Sequence, residues 1–199
     1  MVRRPAAVGT GSVRQVLTLH HDITSPAAAV AVLRLQALVD AGAAVRFSPL
    51  DVLGLEIDVP PTRVLLEELS RHAERAAELG LVMRRPSRQP PTLRAHVVGE
   101  VAEAAGLGAS WRWTCLRAYW GNDRDLLDDD ILVELAVAAG LEEAPVRQAL
   151  GDRLRVHALR DRMLQQRRRG VGGVPVLEFD GTFVPAELAD DDLRRLVGL

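Results

Sequence analysis

The short run from Val13 to His20, with Val13, Val16, Leu17 and Leu19 apolar, reads as a β-strand. The pattern then changes period. Val30, Leu33, Ala37 and Leu38 recur at helical spacing after Thr24-Ser25-Pro26, with Ser25 placed as N-cap and Pro26 at the first helical position. This helix is expected to run to Ala41, where Gly42 closes it. Val45 to Leu50 reads as a second strand. A strand–helix–strand unit of this length implies two parallel strands joined by a right-handed crossover.

The middle of the chain has helical periodicity throughout. Thr62 caps a helix whose Leu65, Leu66, Leu69, Ala73 and Ala76 share one face, ending at Gly80. After a proline-rich break from Arg85 to Pro91, helices are expected over Leu93–Ala105, over Trp111–Trp120, and after an Asp128 cap with Ile131, Leu132, Leu135 and Ala139 inward. Asp152 opens a long helix reaching Arg169. Period two then returns: Pro175–Phe179 is a strand, Asp180-Gly181 a hairpin turn, Thr182–Val184 its partner. A last helix starts near Asp190. The order is βαβ, helical block, long helix, ββα. Strands at both ends with helices between describe one α/β sheet domain interrupted by an all-helical insertion. The boundaries read as a loose tail over 1–12, a sheet domain over 13–59 and 151–199, and an insertion over 60–150.

Composition narrows the chemistry. The chain has 199 residues, enough for a real core, and a net charge of −2 that gives no bulk drive toward nucleic acid or an anionic membrane. Its basic residues are all Arg, so neither a lysine Schiff base nor a lysine general base is available. There is 1 cysteine, Cys115, which rules out an intramolecular disulfide; it is expected in the core. The first twenty residues carry no apolar h-region, and no stretch approaches a membrane span. A cytoplasmic protein is expected. Zinc-ligand spacings do not occur, and Asp128 to Asp130 reads as a helix start, so no metal is expected.

Three stretches, in order, resemble the DsbA-like thioredoxin-fold superfamily. His21-Asp22-Ile23-Thr24-Ser25-Pro26-Ala27-Ala28 looks like its strand-to-helix active-site turn. Pro90-Pro91-Thr92-Leu93-Arg94-Ala95-His96, with Leu116-Arg117-Ala118-Tyr119-Trp120-Gly121-Asn122-Asp123 and Asp130-Ile131-Leu132, is similar to the helical insertion of the cytoplasmic branch. Gly170-Val171-Gly172-Gly173-Val174-Pro175-Val176-Leu177-Glu178-Phe179-Asp180-Gly181 is close to the cis-proline strand and hairpin. That branch includes FrnE-like oxidoreductases, 2-hydroxychromene-2-carboxylate isomerases and kappa-class glutathione transferases. The resemblance implies a DsbA-like thioredoxin fold, a cis peptide bond at Val174-Pro175, and a homodimer.

The turn separates the relatives. Oxidoreductases carry Cys-x-x-Cys at the helix start, where the dipole and free N–H groups stabilise a thiolate. Ser25 and Ala28 stand there instead, and a hydroxyl cannot exchange disulfides. The isomerase and transferase branch has Ser-Pro, as Ser25-Pro26 does, and its serine holds the sulfur of glutathione as thiolate. The resemblance therefore implies glutathione or another low-molecular-weight thiol as cofactor, bound by Ser25, Pro26, Val174, Pro175 and Glu187. Ser25 and His21 are the catalytic candidates, and the small-molecule substrate is expected between the sheet edge and the insertion.

Several positions depart from the branch. Ala27 replaces its usual aromatic, the glutathione-contacting asparagine has no match in Leu55 to Thr62, Pro91 replaces a frequent asparagine, and Ala186-Glu187 replaces a Ser-Asp pair. Two readings stay open: a thiol-dependent isomerase or transferase, and a non-catalytic binding or scaffolding homologue. Asp22 caps the turn or orients a group in the site. His20 and His21, adjacent on a strand, should face opposite sides of the sheet.

Overall fold

The computed structural model describes residues 16–199. The tail over 1–12 and Val13 to Gln15 of the first expected strand lie outside the described residues. Strand β1 (Leu17–His21) is followed by α1 (Pro26–Asp40) and β2 (Val45–Pro49). Helices α2 (Arg63–Glu78), α3 (Leu93–Ala104), α4 (Gly108–Leu116), α5 (Asp129–Ala138), α6 (Glu143–Gly151) and α7 (Arg153–Arg168) come next. The chain ends with β3 (Val176–Phe179), β4 (Thr182–Pro185) and α8 (Asp190–Val197).

One sheet holds all four strands in the order β2-β1-β3-β4. β1 pairs parallel with β2, Leu19 opposite Phe47, and antiparallel with β3, Leu19 opposite Leu177. The leucines at the centre of this ladder, Leu17, Leu19 and Leu177, are closed to solvent and join the main core with Leu35 and Leu38 of α1. Burying each such side chain contributes about 1.5–3 kcal/mol. A second apolar cluster, Leu50, Leu93, Val97, Leu159, Met163 and Val171, ties α3 and α7 to the ends of the sheet.

The helix caps follow the sequence. The Ser25 hydroxyl accepts from the Ala28 N–H, Thr62 from Leu65, Asp128 from Asp130 and Ile131, and Asp152 from Leu154 and Arg155. Gly42, Gly80, Gly106 and Gly140 follow helix ends at positive φ. Two features differ from the expected pattern. Helix α6 has no counterpart in it, and the helix expected to Trp120 changes at Arg117–Gly121 into a π-helical turn. That widened turn presents Trp120, which is fully buried and donates its indole N–H to the Ile23 carbonyl at 2.9 Å. The helical block is thereby fastened to the β1–α1 turn.

Candidate functional site

The β1–α1 turn is held from several directions. Asp22 is 1% exposed; one carboxylate oxygen accepts the Thr24 N–H at 3.3 Å and the other the Val52 N–H at 2.6 Å. It therefore caps the turn, as expected, and also anchors the segment after β2. Gln89, just before α3, reaches the Thr24 hydroxyl at 3.5 Å. Asp51 is buried beside Asp22 and accepts the N–H groups of Leu53 and Gly54 at 3.1 and 3.2 Å. Burial and the Asp22 charge push its carboxyl above the usual range.

Ser25 is 7% exposed at the head of α1. Pro26 has no N–H, the Ala28 N–H goes to the Ser25 hydroxyl at 3.2 Å, and the Ala29 N–H goes to the Ser25 carbonyl at 2.9 Å. The Ala27 N–H is the donor that remains. Ala27 and Pro175 both line a cleft of about 350 Å³ whose other walls come from α1, α2 and the segment after β4. The Val174–Pro175 peptide bond is cis. Glu187 lines the same cleft, 3.8 Å from His72. Val174 instead packs against the second apolar cluster.

The cleft is rich in cations. Arg34 donates to Asp190 at 2.8 Å and to the carbonyls of Ala186 and Leu188 at 3.4 and 2.5 Å, pinning the segment before α8. Arg75 pairs with Glu78 and with Asp190, each at 2.6 Å. The Arg34 hydrogen bond holds the Asp190 carboxyl below its usual range. Arg71, also on the wall, has no ion-pair partner among the described residues.

His21 does not join this group. His20 and His21 do face opposite sides of the sheet. His20 Nε2 meets Glu178 at 3.0 Å. His21 lines a different and larger cavity, about 570 Å³, between the end of edge strand β2 and helices α3, α4 and α7. Its walls include Ile23, Phe47, His96, Trp111 and Cys115. His21 stacks edge-on against His96, ring centroids 5.6 Å apart. Burial, then the neighbouring His96 and Arg112, drive its pKa well below 6.5. The ring is neutral at pH 7 and can accept or donate one hydrogen bond on each side. The sequence candidates thus separate: Pro175 and Glu187 line one cleft, His21 a different cavity, and Ser25 lines neither, standing two residues before Ala27 of the first.

In the sequence His96 is legible only as the end of the Pro90–His96 stretch, with no site role attached to it. It sits within the apolar run Leu93, Ala95, Val97 and Val98 of α3, and a polar side chain at a buried helix position was the available signal. Cys115, 0% exposed, has its thiol pushed far up by burial and the Asp22 charge. It has no thiolate character to offer. Among the described residues no group of three or more His, Cys, Asp or Glu could hold a metal ion, and no helix is long and apolar enough to cross a membrane.

Known proteins place this geometry. Solved structures with the same fold include a probable DsbA oxidoreductase from Streptomyces coelicolor, 23% identical, covering 92% of this chain and 90% of that one with a TM-score of 0.77. A 2-hydroxychromene-2-carboxylate isomerase is 18% identical over 91% of this chain and 92% of its own, TM-score 0.70. The cytosolic disulfide reductase DsbM of Pseudomonas aeruginosa, solved with glutathione, is 18% identical over 92% and 97%, TM-score 0.68. No curated sequence is significantly similar to the chain. The model of the DSBA-like thioredoxin domain matches residues 16–196, and with Ser25 and Ala28 where a cysteine pair would stand, the chain belongs to that family without its redox dithiol.

Proposed function

We propose that the protein binds a low-molecular-weight thiol of the glutathione type in the cleft lined by Ala27, Pro175 and Glu187, its sulfur toward Ser25, and uses it as cofactor for an isomerase or transferase reaction on a small organic substrate. The observation that carries this reading is the charge pattern around the turn. Arg71 of α2, without an ion-pair partner among the described residues, suits a carboxylate of an acidic thiol, with the paired Arg34 and Arg75 beside it, and Glu187 suits an ammonium group. The thiol end would lie by Ser25, where the hydroxyl and the Ala27 N–H can donate to sulfur at a helix N-terminus. The DsbM structure, solved with glutathione on the same fold, supports the ligand class.

In this reaction the protein supplies no nucleophile of its own. Bound thiol supplies the sulfur chemistry. Ser25 stabilises charge on it, Arg71 fixes its orientation, and the substrate reaches the sulfur from the open side of the same cleft. Equilibrium titration with glutathione tests the reading: saturable binding that weakens about tenfold or more in Arg71→Gln supports it. The second reading, a binding or scaffolding homologue, is favoured by Ala27 and by the loss of the branch's asparagine. It becomes the better one if no low-molecular-weight thiol binds.

A further inference from the structure

We propose that the cavity between the end of β2 and helices α3, α4 and α7 is a binding site for an organic monoanion with an apolar body. Its size of about 570 Å³ falls in the range of ligand sites and far exceeds a packing defect in a domain core. Ile23, Phe47, Pro49 and Trp111 supply apolar wall. The His21 imidazole and the Trp111 indole N–H on its wall make no hydrogen bond among the described residues, and Nε2 of His96 on the same wall is buried without one. A buried group of this kind costs free energy unless a ligand or water satisfies it. Gly99 on the same wall lets the indole pack close against α3: a Cβ there would lie 3.3 Å from Trp111 Nε1, tighter than an ordinary contact.

The charges at the mouth set the sign of the ligand. Arg112 lies over the Phe47 ring at 3.8 Å and is matched by Glu103. Arg155 and Arg162 share a single carboxylate, Glu100, with Arg155 at 3.7 Å from it. With the histidine neutral, one positive charge is left over at a half-exposed rim. An anionic group there would pair with Arg155 and Arg162, while the apolar part enters and presents an acceptor to the Trp111 N–H. Its binding requires no thiol and does not rest on the reading of the other cleft.

Calorimetric titration of 2-naphthoate into the thiol-free protein, beside the neutral 2-naphthalenemethanol, tests the site. The expected result is one saturable site with the carboxylate bound about tenfold or more tighter than the alcohol. Arg155→Gln/Arg162→Gln should erase that preference. Gly99→Leu, which crowds the Trp111 edge and the cavity beside it, should abolish binding. Thermal melting shows whether Gly99→Leu folds; if it does not, the exposed arginine pair decides alone. No saturable binding to the wild type overturns the proposal, as does equal affinity in the arginine variant. Displacement of naphthoate by glutathione overturns it too, by moving the ligand to the other cleft. Glutathione binding without naphthoate binding leaves the thiol reading standing, and the reverse result separates the two failures.

Discussion

Asp22 Oδ1 lies 3.6 Å from His96 Nε2, and both side chains are closed off from solvent. The pair joins the β1–α1 turn to α3, while the same carboxylate holds the N–H groups of Thr24 and Val52. Asp22→Ala would leave both backbone donors buried without an acceptor. At about 1–3 kcal/mol for each unsatisfied group, the variant should lose roughly 2–5 kcal/mol of stability. Urea unfolding of the two proteins measures this. A loss below about 0.5 kcal/mol, typical of a surface substitution, would show that Asp22 does not organise the turn.

Much of this frame was legible in the sequence because its signals are local. Ser25, Thr62, Asp128 and Asp152 each cap a helix because a short polar side chain can reach N–H groups two or three residues ahead. Asp180, in the left-handed region, and Gly181 make the hairpin as a two-residue turn should. Helix α6 escaped because Glu142 makes no side-chain cap and Pro145 sits in its first turn, which reads as a break. Its only signal was Val146, Ala149 and Leu150 at helical spacing. The site was legible only in part. Pro175 and Glu187 line one cleft with Ala27, two residues after Ser25, while His21 opens elsewhere. That separation follows from the strand register, which sets His21 at the end of β1 opposite Pro49 of the edge strand β2, where α3 and α4 close over them. No spacing in the sequence encodes the packing of α3 against that edge, so no site role for His96 was legible.

Stability should depend on His21 as pH falls. The folded state resists a proton that the unfolded chain accepts near pH 6.5. Below that value the unfolded state binds more protons, so stability declines as pH drops and levels off below the folded-state pKa. The slope for one group approaches about 1.4 kcal/mol per pH unit. Denaturant unfolding between pH 7 and pH ~5 should show wild type losing stability relative to His21→Gln. Parallel curves would mean that His21 is not held neutral.

Cys115 should be silent in the folded protein. It is fully buried and its thiol is pushed up, so a thiol reagent such as 5,5′-dithiobis(2-nitrobenzoate) should label the chain only after denaturation. The native protein should also fail to reduce insulin, since a single thiol cannot complete dithiol exchange. Rapid native labelling, or turnover like that of a Cys-x-x-Cys enzyme, would contradict this.

The role of Ser25 is the hinge of the functional account, and calorimetric titration of wild type and Ser25→Ala with glutathione tests it most directly. Loss of the cap to the Ala28 N–H should cost about 0.5–2 kcal/mol of stability, which leaves a folded protein to titrate. If the hydroxyl also donates to a thiolate, affinity should fall by a further ~1.5–3 kcal/mol, on the order of tenfold to more than a hundredfold. The account predicts saturable binding by wild type and that loss in the variant. Equal binding by the two proteins, with Ser25→Ala destabilised only as a lost cap, would contradict it.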